Sequence, residues 1–256
     1  MHDGTETTLG LEGRVALVTG GTRGLGLAIA RKLCSAGCDV VLNYAGSDEA
    51  AQAALDSLAG LKGAASLARG DIREPQTVPR LLEEAAGRHG GLDILVHNAA
   101  SWQPMPALRP DQAALRRDLS TAVDPLLYGA TAFADVLGAR GRGRIVAVSS
   151  TGARNVVPGY VSLGLAKAAL ESLVRYLAVE LAGRGVAVNA VATHKLDKGV
   201  PDGRPEVAAM LAARTPAGRL TRPADVADVV ALLCTDEAAW IHGQVIGVDG
   251  GLSLHA

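Results

Sequence analysis

An α/β fold with a doubly wound parallel sheet is the class this chain predicts, and three observations carry it. From residue 14 onward, short β-rich runs alternate with longer helical patterns, the signature of strand–helix–strand units whose strands run parallel. The runs are nearly unbroken Val, Leu, Ile and Ala, as strands covered on both faces require. With 256 residues, 48% apolar and only 3% aromatic content, the chain can bury a large core of small aliphatic side chains.

In order, the runs place strands at 15–19, 39–43, 64–69, 92–97, 144–149, 185–191 and 244–248. Helical patterns fall near 25–36, 47–60, 75–89, 111–139, 160–183 and 223–236, with Gly37 at the C-terminal cap of the first. Right-handed crossovers would set these helices on both faces of a seven-stranded parallel sheet, a single-domain Rossmann fold. No charged or Pro/Ser-rich linker and no internal repeat divides the chain, so residues 14–256 are expected to form one domain behind an N-terminal tail, 1–13.

A formal charge of -1, without a basic cluster interleaved with aromatics, argues against a nucleic-acid partner. The polar N-terminus lacks the order of a secretory signal, and no apolar run is long enough to cross a bilayer, so a cytoplasmic protein with no membrane partner is expected. Cys34, Cys38 and Cys234 are an odd number without metal-ligand spacing; they read as reduced, structural thiols, with no metal site.

Thr19-Gly20-Gly21-Thr22-Arg23-Gly24-Leu25-Gly26 follows the first strand and opens the first helix. Missing side chains let the backbone turn tightly and approach a pyrophosphate, whose charge meets the free N–H groups of the helix start. With Asp71 after the third strand, this context favours a dinucleotide site over an ordinary tight turn. The second strand closes with Asn43-Tyr44-Ala45-Gly46-Ser47 and carries no acid to accept bonds from a free ribose 2′-hydroxyl. Arg23 can instead reach a 2′-phosphate, with Asn43 and Ser47 as neutral donors, so NADPH is favoured over NADH.

Two segments break the rhythm at the C-terminal edge of the strands, where open α/β sheets bind ligands: 99–110, with three prolines and Trp102, and 192–205, with His194, Lys195 and two prolines. Both are candidate substrate loops, or plain surface connections. His194 reads as an exposed loop histidine, with substrate contact as the alternative.

Tyr160 and Lys167 are separated by six residues, and Tyr160 follows a Pro-Gly breaker. Seven helical steps nearly complete two turns, so the phenol and the ammonium can share a face roughly 10 Å apart along the axis. That is too far for a direct hydrogen bond but suits gripping different parts of one bound assembly. The alternative is an aromatic at a loop end and a snorkelling lysine. Ser150, after the fifth strand, could donate to a substrate oxygen or cap a turn.

The glycine octet, Asp71, Asn98-Ala99-Ala100, Ser149-Ser150, the Tyr160/Lys167 pair and 245–251 (Val-Ile-Gly-Val-Asp-Gly-Gly) together resemble the short-chain dehydrogenase/reductase superfamily over essentially the whole chain. Most members space the tyrosine and lysine by three residues, and Leu163 fills that tyrosine position here. The six-residue spacing, with 43–45, 98–101, 167–181 and 215–219, is similar to the NADPH-dependent FabL type of enoyl-acyl carrier protein reductase. The resemblance implies cofactor contacts at Gly20, Thr22, Arg23, Gly24, Leu25, Gly26, Asn43, Tyr44, Ser47, Asp71, Ile72, Asn98, Ala99, Ala100, Lys167, Thr193 and Leu196. It implies catalysis by Tyr160, Lys167 and Ser150, and self-association through helices 111–139 and 160–183 as a homotetramer or homodimer.

Two positions depart from that pattern. The helix after the fourth strand lacks the usual Asn that supports the lysine through water and reads Asp118-Leu119-Ser120; Ser120 is the expected stand-in. Thr193-His194 replaces the Pro-Gly that follows the sixth strand. In conjugate reduction hydride goes to the β carbon while charge develops on a thioester oxygen several bonds away, so the acid must be displaced from the nicotinamide. The position of Tyr160 fits that need. The expectation is an NADPH-dependent enoyl thioester reductase; a ketone or imine reductase and a non-catalytic NADP-binding protein are the alternatives. Arg109, Arg116, Arg117, Lys195 and Lys198 could meet an acidic acyl carrier protein, or be solvated surface charges.

Overall fold

A computed structural model describes residues 9–199 and 205–254. The strands are β1 (Val15–Val18), β2 (Asp39–Tyr44), β3 (Ala65–Arg69), β4 (Ile94–His97), β5 (Gly143–Ser150), β6 (Val186–Thr193) and β7 (Val245–Gly247). They form one sheet in the order β3-β2-β1-β4-β5-β6-β7, every neighbouring pair parallel. The doubly wound seven-stranded parallel sheet is therefore present as the sequence predicts. Reversal of strand order between β1 and β4 opens a crevice at their C-terminal ends, where such sheets bind ligands.

Helices α1 (Gly24–Ser35), α2 (Asp48–Asp56) and α3 (Thr77–His89) follow the first three strands. Gly37, at φ 87, follows the Ala36 cap of α1. The expected helix over 111–139 is broken instead of continuous. It divides into α4 (Gln112–Ala122), α5 (Asp124–Tyr128), the short α6 (Ala130–Ala132), a wide turn at Phe133–Leu137 and a tight one at Gly138–Arg140. Pro125 in the first turn of α5 has no N–H to continue the ladder from α4, which ends at Val123. Then come α7 (Val161–Ala182), α8 (Pro205–Arg214) and α9 (Pro223–Leu233). The irregular loop expected over 192–205 ends where α8 begins, a helix that the sequence pattern does not predict. The stretch 200–204 of that loop lies outside the described residues.

One core layer packs α3 and α7 against the sheet through Leu81, Leu82, Leu170, Val174 and Leu177. The opposite layer packs α1 and α9 through Ile29, Leu33, Val226 and Val230, and takes in Leu11 from the segment before β1. Cys34, Cys38 and Cys234 are free and lie in this second layer, where burial pushes their thiols up and away from reactive ionisation. Among the described residues no helix is long and apolar enough to cross a membrane.

Candidate active site

The glycine turn joins β1 to α1 and is shaped by close contact. A Cβ on Gly26 would overlap the Gly20 carbonyl and come within 2.6 Å of Asn98 Nδ2, so only glycine lets α1 begin so near β1. Asn98 completes the joint: Nδ2 donates to the carbonyls of Thr19 at 3.1 Å and Gly20 at 3.2 Å, while its own N–H and that of Ala99 reach Thr19 Oγ1. The amino end of α1 carries no acid in its first turn, and its N-cap Arg23 makes no side-chain capping bond. Such an end leaves its N–H groups and positive dipole for an anion. The residues present fit a dinucleotide pyrophosphate.

At the ribose end Arg23 is exposed and Thr22 half-buried, so Arg23 can swing to a phosphate. Asn43 does not serve as the neutral donor expected: it is buried and both its amide bonds are spent on Ala68 O and Gly70 O, which tie β2 to the end of β3. The Ser47 hydroxyl caps α2 by accepting from Ala50 N, leaving its own proton to donate. Tyr44 donates to Asp48 at 2.7 Å, and Arg69 pairs with the same carboxylate at 3.1 Å. Asp48 is thereby an acid near the ribose end that the sequence reading did not weigh, held by two partners. Asp71 is bonded to Arg73, which holds its carboxyl below the usual range, and Ile72 beside it is buried.

On the reaction side, Tyr160 is the N-cap of α7 and Lys167 lies in its second turn. The Ser150 hydroxyl, at the end of β5, lies close to the phenol and accepts from Gly152 N at 3.1 Å. Burial raises the tyrosine, the Ser150 hydroxyl beside it opposes that rise, and the nearby Asp118 charge adds to it. The ring edge rests on Gly152, where a Cβ would meet Tyr160 Cδ1 and Cε1 at 2.6 Å. Leu163 is 5% exposed and packs with Ala122 and Ala166, an apolar contact that donates no proton.

Lys167 is buried, and Nζ donates to Val148 O at 2.6 Å. Burial lowers it to about 8, against the pull of Asp118 and Glu171, which favour the charged form. Both acids were missed from sequence. Asp118 is 1% exposed; Oδ2 accepts from Ser162 Oγ at 2.6 Å, and Oδ1 is buried without a protein partner. Glu171 accepts from Ser149 Oγ at 2.7 Å and pairs with Arg154 at 3.0 Å. Ser120, the expected stand-in for the absent Asn, instead donates to Arg117 O in its own helix. Residues two positions apart on an α-helix differ by about 200°, so the turn that aims Asp118 at α7 carries Ser120 away from it.

His97, the last residue of β4, is wedged between Thr19 Oγ1 at 3.3 Å and Ala122 O at 3.1 Å. Burial, then the charge of Lys167, lowers it to about 3, so it stays neutral. A histidine closing the strand next to Asn98 was the available signal. Thr193 pairs with Ser150 across β5 and β6, and its hydroxyl is buried without a partner. Burial also lowers His194, whose Nδ1 has no partner; the imidazole is half-buried, not the exposed loop histidine first expected. Leu196 is half-buried and bridges to Thr221. Ala99 and Ala100 leave β4 at the same edge, Ala100 exposed.

The fold and these groups define a nucleotide-dependent oxidoreductase, and comparison with known proteins agrees. The family described as enoyl-(acyl carrier protein) reductase matches residues 20–253. Among similar proteins, the cis-4-hydroxycyclohexanecarboxylate dehydrogenase of Sinomonas cyclohexanicum is 38% identical, over 93% of this chain and 96% of that one. The 1-cyclohexenylcarbonyl-CoA reductase of Streptomyces collinus is 36% identical, over 95% of this chain and 88% of that one. A short-chain dehydrogenase from Burkholderia cenocepacia J2315, solved in complex with NADP, superposes with a TM-score of 0.86 at 32% identity, covering 94% of this chain and 98% of that one. The chain belongs to the short-chain dehydrogenase/reductase superfamily. It is an NAD(P)-dependent oxidoreductase.

Proposed function

We propose that the chain is an NADPH-dependent reductase of a conjugated carbon–carbon double bond in an acyl thioester. The observation that carries this reading is the location of the acid: the phenol belongs to Tyr160 at the start of α7, while position 163, one turn nearer Lys167, holds a buried leucine. When bound, reduced nicotinamide supplies hydride. The chain's own groups supply the rest. The turn at Gly20 to Gly26 and the open end of α1 would receive the pyrophosphate, and Arg23 and Ser47 would serve the adenosine ribose. Lys167 would hold the nicotinamide ribose hydroxyls, and Tyr160, with the Ser150 hydroxyl beside it, would offer its proton to the thioester oxygen on which negative charge develops. The spacing shared with FabL-type reductases and the likeness to a 1-cyclohexenylcarbonyl-CoA reductase support the same reaction class.

A second reading, reduction of a ketone, draws on the closeness of the Ser150 and Tyr160 hydroxyls, because two hydroxyls side by side can grip one carbonyl oxygen; the 38% identical relative named as a dehydrogenase of a cyclic hydroxy acid supports it. An assay at the NADPH absorbance separates the two. Crotonyl thioester is expected to consume NADPH and yield butyryl thioester, with acetoacetyl thioester slower by a large factor. Consumption with the ketone alone would overturn the conjugate-reduction reading. Self-association and delivery of the acyl group by an acidic carrier protein belong to the same proposal, tested by light scattering and by comparing carrier-bound with CoA-bound acyl groups.

A further inference from the structure

The loop between β4 and α4 is tied to the turn that carries Tyr160. Met105 N donates to Gly159 O at 2.8 Å, and Met105 and Tyr160 pair as a single parallel bridge. Met105 is buried, and its sulfur accepts from Asp111 N at 3.1 Å, fixing the far arm of the loop. Three residues before this anchor stands Trp102. Its ring lies 6.3 Å from that of Tyr160, tilted by 40°, and the residue is 53% exposed. A large aromatic held half-open beside a half-buried phenol is costly to leave wet. One edge of the phenol is closed by Gly152, and the Ser150 hydroxyl lies close to its own. A molecule that brings an oxygen to that hydroxyl therefore has the indole as its neighbour.

We infer that Trp102 is a specificity-determining residue whose uncovered ring surface receives the apolar acyl part of the substrate, favouring a thioester whose conjugated bond carries a flat ring over one carrying a short alkyl group. This rests on the conjugate-reduction reading above. A planar ring offers the indole an offset or edge-on partner over most of its surface; a methyl group covers a small part of it. Orientation comes from the tether at Met105, because a side chain on an unanchored loop would lose its contact energy in ordering.

Cinnamoyl and crotonyl thioesters present the same reacting bond with a phenyl or a methyl group on the β carbon, so the comparison isolates the ring. Turnover is read at the NADPH absorbance in the unsubstituted, Trp102→Ala and Trp102→Phe proteins. Binding without turnover is read from Trp102 emission in a Trp240→Phe background with NADP+ bound; Trp240, the second tryptophan, is 95% exposed. The expected result is a kcat/KM for cinnamoyl thioester that falls about tenfold in Trp102→Ala, mainly through KM, and largely recovers in Trp102→Phe. Crotonyl kcat/KM should change about threefold or less, and cinnamoyl thioester should quench the Trp102 emission. Equal losses on both substrates, or emission blind to the ligand while NADPH is still oxidised, overturns this inference and leaves the reductase reading standing. A quench without oxidation of NADPH by either thioester overturns the reductase reading and keeps the contact. Neither quench nor turnover overturns both.

Discussion

The ammonium of Lys167 donates to the main-chain carbonyl of Val148 at 2.6 Å, fastening α7 to β5 two residues before Ser150. The bond fixes the helix whose first residue follows Tyr160, and so sets where the phenol can point. It also holds a cation in a buried place, with Asp118 on α4, Glu171 on α7 and neutral His97 on β4 facing it.

That surrounding gives a pH prediction. The lysine is cationic below about 8 and neutral above it, so a rate that needs the charge falls as pH rises through that value. Replacing Asp118 by Asn removes an anion that favours the charged form. The alkaline limb of the kcat profile should move to lower pH, and Glu171→Gln should move it the same way. A limb unmoved by both substitutions would show that the profile reports another group.

Gly152 seats the phenol. In Gly152→Ala the new Cβ falls within 2.6 Å of two ring carbons, and the ring must shift. Misplacing a reacting group by about 1 Å can cost about 100-fold, so kcat should drop on that order while the NADPH Kd, measured by fluorescence, holds. Unchanged turnover would mean that the ring position does not matter.

Arg23 is predicted to select the cofactor. Charge-assisted bonds to phosphate contribute about 1.5–3 kcal/mol, and solvent exposure places this one at the low end. Arg23→Ala should weaken NADPH about tenfold by titration and leave NADH nearly unchanged. Equal weakening of both would assign the preference elsewhere, with Ser47 the next residue to test.

The sheet was legible because parallel strands buried on both faces leave unbroken aliphatic runs, and the glycine turn because its close contacts admit no side chain at Gly26. Tyr160 and Lys167 stood out by spacing from a breaker. What sequence did not yield depended on long-range placement. Pro125 alone does not say whether it kinks the helical pattern of 111–139 or divides it, and the structure shows it divided. Ser120 reads as the support for the lysine until the helix rotation is known, which turns Asp118 toward α7 in its place. Asn43 reads as a free donor until β3 arrives to take both its bonds. The tether from Met105 to Gly159 joins segments more than fifty residues apart and leaves no local pattern.

Whether the proton comes from Tyr160 is read from single-turnover reduction of crotonyl thioester by Tyr160→Phe. Removing a general acid should slow the step by about 10²–10⁴-fold with the NADPH Kd preserved. A variant that reduces the thioester at close to the original rate would contradict the account and move the proton donor to another group at the site.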